Sequence, residues 1–211
     1  MEREIIISPE ELYFLGSRLQ AKYIDYAYVA AMDDIGQNYP LFEKETGAAL
    51  VSKGALEEDF SGNIEINSGV SDLLKPIFFG EVETSIDICE IGKTNTVTVY
   101  KFHFYDGAIT LVTGKDGKLL IKKVDSIEIQ DIVKGLIPQD IPFEYKVVDD
   151  IPRELITRFF AFKSILVGKT AVVKTYIEAG NVLLQEKDSE QIETVSKETF
   201  ISDATDIVKG V

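Results

Sequence analysis

Asp131-Ile132-Val133-Lys134-Gly135 recurs in the chain as Asp206-Ile207-Val208-Lys209-Gly210, about 75 residues later. A second shared word, Gly-Lys-Thr, precedes the two copies at nearly equal distances, at residues 92–94 and 168–170. Similar segments that both end in Phe-Phe stand upstream in the same order, at residues 70–79 and 151–160. Short sequence motifs that recur in the same order predict a duplicated structural unit.

The first copy has the pattern of an antiparallel β-meander. Val82, Ile86 and Ile88 alternate with polar residues, which is typical of a strand with one buried face. Asp106-Gly107 and Asp116-Gly117 are hairpin signals between further strands. A helix near residue 71 and another from about Ser126 to Leu136 are expected to bracket these strands.

The second copy is expected to repeat this order. Asp150 can cap a helix that contains Pro152 in its first turn and runs to about Phe162. The strands that follow are predicted at residues 164–167, 171–178, 181–186 and about 190–196, before a last helix that begins near Ser202.

The N-terminal residues 1–66 are predicted to form a pair of helices. Ser8-Pro9-Glu10-Glu11 is a helix start with a capping box. Apolar residues from Leu12 to Tyr26 recur at spacings of three and four, which predicts one helix to about residue 34. A second helix is expected over residues 41–53.

The predicted fold class is α+β. We expect one α+β domain over residues 1–211, in which a first repeat (67–137) and a second, shorter repeat (150–211) share a sheet. Each repeat would be a helix–antiparallel β-meander–helix unit, and the two would be related by a pseudo-two-fold axis.

Composition and charge exclude several classes of function. The formal net charge of −14 repels phosphate backbones and disfavours nucleic-acid binding. A single cysteine, Cys89, excludes an internal disulfide and suits a reducing compartment. Neither a signal peptide nor an apolar run long enough to span a membrane is evident, so we expect a cytoplasmic protein without membrane insertion.

The two Gly-Lys-Thr words suggest a phosphate-binding loop, but the rest of that motif is missing. The loop needs another glycine five residues upstream, where this chain has Asp87 and Lys163. Both words also lie between predicted strands, whereas a phosphate site needs a helix N-terminus behind the loop. Hairpin turns explain both words better than a nucleotide site.

No other pattern indicates catalysis or a bound metal. His103 alternates with strand residues and has no triad partner patterned around it. The word Asp59-Phe60-Ser61-Gly62-Asn63 resembles half of a calcium loop, but Ile64 and Val70 occupy positions that need glycine and glutamate. We therefore predict a binding protein that is not an enzyme and needs no cofactor or metal.

The order of elements resembles the EspG family of type VII (ESX) secretion chaperones. The likeness lies in a capped helix, a short helix that closes at Lys53-Gly54, the turn at residues 59–62, and two meanders with flanking helices. It implies a pseudo-two-fold fold with a central antiparallel sheet and helical bundles beside it. Members of that family are cytosolic chaperones that grip the tip of helical secreted PE–PPE pairs.

For this Lys- and Ile-rich chain, the resemblance implies a chaperone of another type VII system whose client is a different helical secreted protein or protein pair. By position, Ile91, Gly92, Lys93 and Thr94 correspond to the loop that the family uses on its clients. We therefore expect these four residues to contact the partner. A different class of function, an acidic immunity protein that inhibits a basic toxin, is also compatible with the charge.

Overall fold

The structure is a computed structural model that describes residues 4–30, 32, 38–92, 96–137, 153–166, 169–186 and 192–210. It confirms the α+β class. The described strands are β1 (Glu4–Ile7), β2 (Leu56–Glu58), β3 (Ile64–Ile66), β4 (Val82–Glu90), β5 (Thr96–Tyr105), β6 (Ala108–Lys115), β7 (Lys118–Val124), β8 (Ile156–Leu166), β9 (Lys169–Ala179), β10 (Val182–Glu186) and β11 (Ile192–Thr194). The described helices are α1 (Pro9–Arg18), α2 (Tyr26–Val29), α3 (Tyr39–Ser52), α4 (Ser68–Phe79), α5 (Ser126–Gly135) and α6 (Lys197–Val208).

The strands form a large antiparallel sheet and a small hairpin. The order in the large sheet is β1-β7-β6-β5-β4-β8-β9-β10-β11 among the residues described, and β2 pairs only with β3 there. Strand β8 pairs with β4 on one side and with β9 on the other, so that Phe160 lies opposite Ile88 of β4 and Tyr176 of β9. This register determines which side chains share a face of the sheet.

The chain divides into two compact units. Unit 1 comprises Met1–Gly80 and His103–Lys123, and unit 2 comprises Glu81–Phe102 and Val124–Val211. None of the helices in the described ranges is long and apolar enough to cross a bilayer.

Unit 1 has an aliphatic and aromatic core that includes Leu12, Leu74 and Phe78, all of which are buried. The predicted capping box at the start of α1 is confirmed. The Glu11 amide donates to Ser8 Oγ at 3.3 Å, and the Ser8 amide donates to a carboxylate oxygen of Glu11 at 2.8 Å.

Unit 2 has an aromatic core between its sheet and α6. The ring of Phe200 in α6 lies edge-on to the rings of Phe160, Phe162 and Tyr176, with centroids 4.9 to 5.4 Å apart. Such edge-to-face contacts stabilise a core beyond the burial of apolar area alone. The Thr84 hydroxyl of β4 also donates to the Val208 carbonyl at the end of α6, at 2.8 Å.

The prediction of one helix to about residue 34 is wrong. Helix α1 ends at Arg18, and Gln20 has the left-handed φ of 55°. The Ala21 amide donates to the Gly16 carbonyl and the Lys22 amide to the Phe78 carbonyl. These bonds turn the chain out of the helix, although the apolar spacing continues past the turn.

The prediction of a helix from Asp150 to Phe162 is also wrong. Residues 150–152 lie outside the described ranges, Arg153–Leu155 form one 3-10 turn, and β8 begins at Ile156. Phe160 and Phe162 are buried with a period of two, because they face α6 from a strand. Helix α6 begins at Lys197, five residues earlier than expected.

The internal repeat stays a prediction. The chain does pass twice through four strands and then a helix, as β4 to β7 with α5 and as β8 to β11 with α6. Helix α4 precedes the first set of strands. At the corresponding place before the second set, the chain has only the 3-10 turn Arg153–Leu155. Strands β1, β2 and β3 were not predicted, because each has only three or four residues.

Candidate binding surface

The predicted partner-binding residues lie between β4 and β5. The Ile91 side chain is 41% exposed, and its amide donates to the Thr157 carbonyl at 2.8 Å. Gly92 is exposed and a Cβ there would meet open space. Lys93 and Thr94 lie outside the described residues. Ile91 and Gly92 are thus at the surface, and their contact with a partner stays a prediction.

One face of the sheet in unit 2 carries apolar side chains that the sequence did not reveal. Phe159 lies opposite Cys89 of β4 and opposite Ile177 of β9. Lys163 lies four residues after Phe159 in β8, so it is on the same face, and it lies opposite Val173. Register partners point to the same side of a sheet, so all of these side chains share one face.

Strand β5 extends this face. The Lys101 ammonium lies 3.0 Å from a carboxylate oxygen of Glu83, and Glu83 is on the same side of β4 as Cys89. Val97 is on the Lys101 side of β5 by the two-residue period. We call this surface the open face and define it by the apolar members Cys89, Val97, Phe159, Val173 and Ile177.

Three side chains of the open face are well exposed: Val97 is 65% exposed, Val173 50% and Phe159 38%. By register, Phe159 lies opposite Ile177, four residues along β9 from Val173, so the exposed side chains are spread along one face of the sheet. A face with several exposed apolar side chains is a candidate interaction site, whereas single exposed ones are normal on any surface. The exposed Ile91 lies just past the end of β4, at the same end of the strands as Phe159, because its amide bonds the Thr157 carbonyl at the start of β8. The open face therefore borders the predicted loop.

The charged groups on the open face are paired. The Lys163 ammonium bonds the Asp87 carboxylate, and the Lys101 ammonium bonds Glu83. The Lys163–Asp87 pair is partly exposed and contributes little to stability, whereas the Lys101–Glu83 pair is mostly buried. Their effect on binding is larger, because pairing leaves the face nearly neutral within a chain whose net charge is −14.

The opposite face of the same strands is filled by α6. Phe160 and Phe162 are 1% and 0% exposed there. A cleft of about 390 Å³ opens beside this core and is lined by Ser164, Val172, Lys174, Asp203, Asp206, Ile207 and Gly210.

Two of the charged groups that line this cleft, Lys174 and Asp203, are paired. The Tyr176 hydroxyl donates to Asp203 Oδ2 at 2.8 Å, and the Lys174 ammonium lies 3.0 Å from the same oxygen. Burial first, and then the bond to Asp203, raise the pKa of Tyr176.

The other candidates for chemistry lie in structural positions. His103 is buried in β5, with Nε2 2.6 Å from the Tyr28 hydroxyl oxygen. Glu57 and Glu58 are adjacent residues of β2. In the described part of the chain, no group of three or more His, Cys, Asp or Glu side chains could hold a metal ion.

The helix predicted over residues 150–162 conceals the open face, because it removes the strand that carries Phe159. A signal was present: Phe160 and Phe162 alternate with Phe159, Ala161 and Lys163, and aromatic residues favour strands. The competing signal was Asp150 and Pro152, which are typical of a helix start. Periodicity over residues 159–163 would have favoured the strand.

No protein-family model matches this sequence, and no curated protein does so either. The resemblance to EspG chaperones therefore stays an expectation from the order of elements.

Proposed function

We propose that this chain is a non-catalytic binding protein, an EspG-like cytosolic chaperone for helical substrates of a type VII secretion system. The observation that carries the proposal is the open face, where Phe159, Val173 and Val97 are exposed beside the loop at Ile91. An apolar surface of this kind is expected to cover an apolar stripe on a client until the client is exported.

The expected contact is between one face of a client helix and the open face. A helix of a secreted hairpin presents apolar side chains at spacings of three and four, which form a stripe along one side. The Phe159 ring is a suitable anchor, because large aromatic side chains dominate binding energy at interfaces. With few such anchors the affinity is moderate, and the client can be released for export.

The test uses a purified helical-hairpin substrate of a type VII system and isothermal titration calorimetry. We expect the double variant Phe159→Ser/Val173→Ser to bind at least roughly tenfold more weakly, because both side chains lose apolar burial. Ile127→Ser is the matched control, since Ile127 is 68% exposed on α5, away from the open face. Equal loss of affinity in both variants, or none in either, would contradict the proposal.

Cys89 gives a second measurement on the wild-type protein. It is the only cysteine of the sequence and it lies opposite Phe159 on the open face. A bound client should slow alkylation of Cys89 by N-ethylmaleimide. An unchanged rate at saturating client would place the client elsewhere.

An acidic immunity protein is the second candidate, because the net charge of −14 could fill a basic toxin cleft. The paired charges of the open face favour the chaperone at that surface. Salt separates the two functions: apolar burial holds a chaperone complex at 1 M NaCl (roughly a 3 Å screening length), whereas charge-driven inhibition weakens steeply.

A further inference from the structure

The β2–β3 hairpin of unit 1 presents an aromatic ring to solvent. Phe60 lies in the turn between Glu58 and Ile64, and its exposure is 114% of the reference value. Ile64, at the start of β3, is 40% exposed beside the turn. Two large apolar side chains, Phe60 and Ile64, are thus exposed on one short hairpin, and exposed apolar side chains on one element are more informative than a single one.

The turn that carries this ring is held by its own side chains. Asp59 Oδ1 accepts from the Ser61 and Asn63 amides, both at 2.8 Å, and Asp59 Oδ2 accepts from Asn63 Nδ2 at 3.0 Å. The Asp59 amide donates to the Asn63 carbonyl at 2.9 Å, and Gly62 adopts the left-handed φ of 81° that closes the turn. The bond from Asn63 is the largest of the effects that lower the pKa of Asp59.

The base of the hairpin is anchored in unit 1. Ala55 and Leu56 are buried, and the Asn67 amide donates to the Ala55 carbonyl at 3.0 Å. The Asn67 side-chain amide also bonds the Glu57 carboxylate. The ring is thus displayed on a preorganised support, which reduces the entropy lost when a partner binds.

The charge around the ring has one sign. Residues 54–71 contain no lysine or arginine, and their charged residues are Glu57, Glu58, Asp59 and Glu65. This field repels an anionic bilayer and also a second copy of a chain whose net charge is −14. It attracts a surface rich in lysine and arginine.

We propose that the β2–β3 hairpin is a docking element for a second protein, in which the Phe60 ring enters an apolar pocket that Lys and Arg side chains surround. The apolar ring supplies the anchor and the acidic flanks supply orientation and speed of association. This inference is independent of the open face, which belongs to unit 2. Either one can fail while the other holds.

The experiment places the photocrosslinker p-benzoylphenylalanine at residue 60 of the full chain in the producing cells. A matched chain carries it at residue 127, which is also exposed. The inference requires a protein that crosslinks from residue 60 and not from residue 127. Absence of such a protein, or equal crosslinking from both positions, overturns it.

The crosslinked protein is then purified and titrated with the unmodified chain and its variants. Phe60→Ala should weaken binding by at least roughly tenfold, Phe60→Leu by less, and Ile127→Ala by less than about twofold. Glu58→Gln/Glu65→Gln should slow association and reduce its salt dependence.

Three results of these experiments overturn the inference. These are wild-type affinity in Phe60→Ala, salt dependence that is unchanged in the double Gln variant, and sedimentation that identifies the crosslinked species as a second copy of this chain. Far-ultraviolet circular dichroism of Phe60→Ala checks that the loss of binding does not come from unfolding.

Discussion

Phe159 and Phe160 are neighbours in β8, but their surroundings differ completely. Phe160 is 1% exposed and its ring centroid lies 5.3 Å from that of Phe200 in α6, whereas Phe159 is 38% exposed on the open face. The same side chain thus stabilises the fold on one side of the sheet and is available to a partner on the other. Composition does not separate these roles, because what differs is the face that a helix covers.

The largest expected effect is on the stability of the covered face. Phe160→Ala should reduce the free energy of unfolding by about 3–5 kcal/mol, because it removes a buried ring and leaves a cavity beside Phe200. Phe159→Ala should cost less, about 1–2 kcal/mol, since more than a third of its surface already contacts solvent. Urea unfolding followed by circular dichroism measures both.

The comparison fails if Phe159→Ala is as destabilising as Phe160→Ala. That result would mean that the open face is covered in solution. Phe162→Ala serves as the control for the covered side, because Phe162 is 0% exposed and also contacts the Phe200 ring.

A smaller effect is expected at the edge of the covered core. Tyr176→Phe should lose about 1 kcal/mol at neutral pH, because the hydroxyl no longer donates to Asp203. The pKa of Tyr176 is raised on folding, so its contribution is fully present below its unfolded pKa of about 10 and is lost as pH rises above that value. Above pH ~10 this tyrosine should lower the free energy of unfolding by about 1.4 kcal/mol for each further pH unit.

The measurement is urea unfolding of both proteins from pH 7 to pH 11. The difference in stability between wild type and Tyr176→Phe should shrink above pH ~10, while other groups titrate alike in the two proteins. A constant difference across this range would exclude a perturbed tyrosine.

The smallest effect is expected from the ion pair on the open face. A double-mutant cycle with Lys163→Met and Asp87→Ala should give a coupling energy of about 0–1 kcal/mol, because both groups are partly exposed. The coupling should fall in 0.5 M NaCl, where the screening length is under about 8 Å. A coupling above about 2 kcal/mol, insensitive to salt, would show that this pair is desolvated.

The sequence predicted local structure well where one signal dominated. The capping box at Ser8, the hairpin turns at Asp106-Gly107 and Asp116-Gly117, and α5 agree with the structure. Two errors arose where signals conflicted. The apolar spacing past Leu19 continued across a helix end, and the helix-start residues Asp150 and Pro152 outweighed the alternation in residues 159–163.

The candidate sites were only partly visible in the sequence. The resemblance to EspG chaperones indicated Ile91, Gly92, Lys93 and Thr94 by position, and of these the described Ile91 and Gly92 lie at the surface. The two-residue period of a strand puts Val97 on the Lys101 side of β5, but nothing in one strand tells which side a helix will cover. Val173 and Phe159 could be joined to it only through the register of β4, β8 and β9.

The sequence by itself determined the α+β class, the acidic charge, and the turns whose glycines and aspartates fix the local backbone. Tertiary structure alone decided that Phe160 would be core and Phe159 surface. The physical reason is that strand periodicity separates two faces without ranking them, and burial is assigned only when α6 packs on one of them.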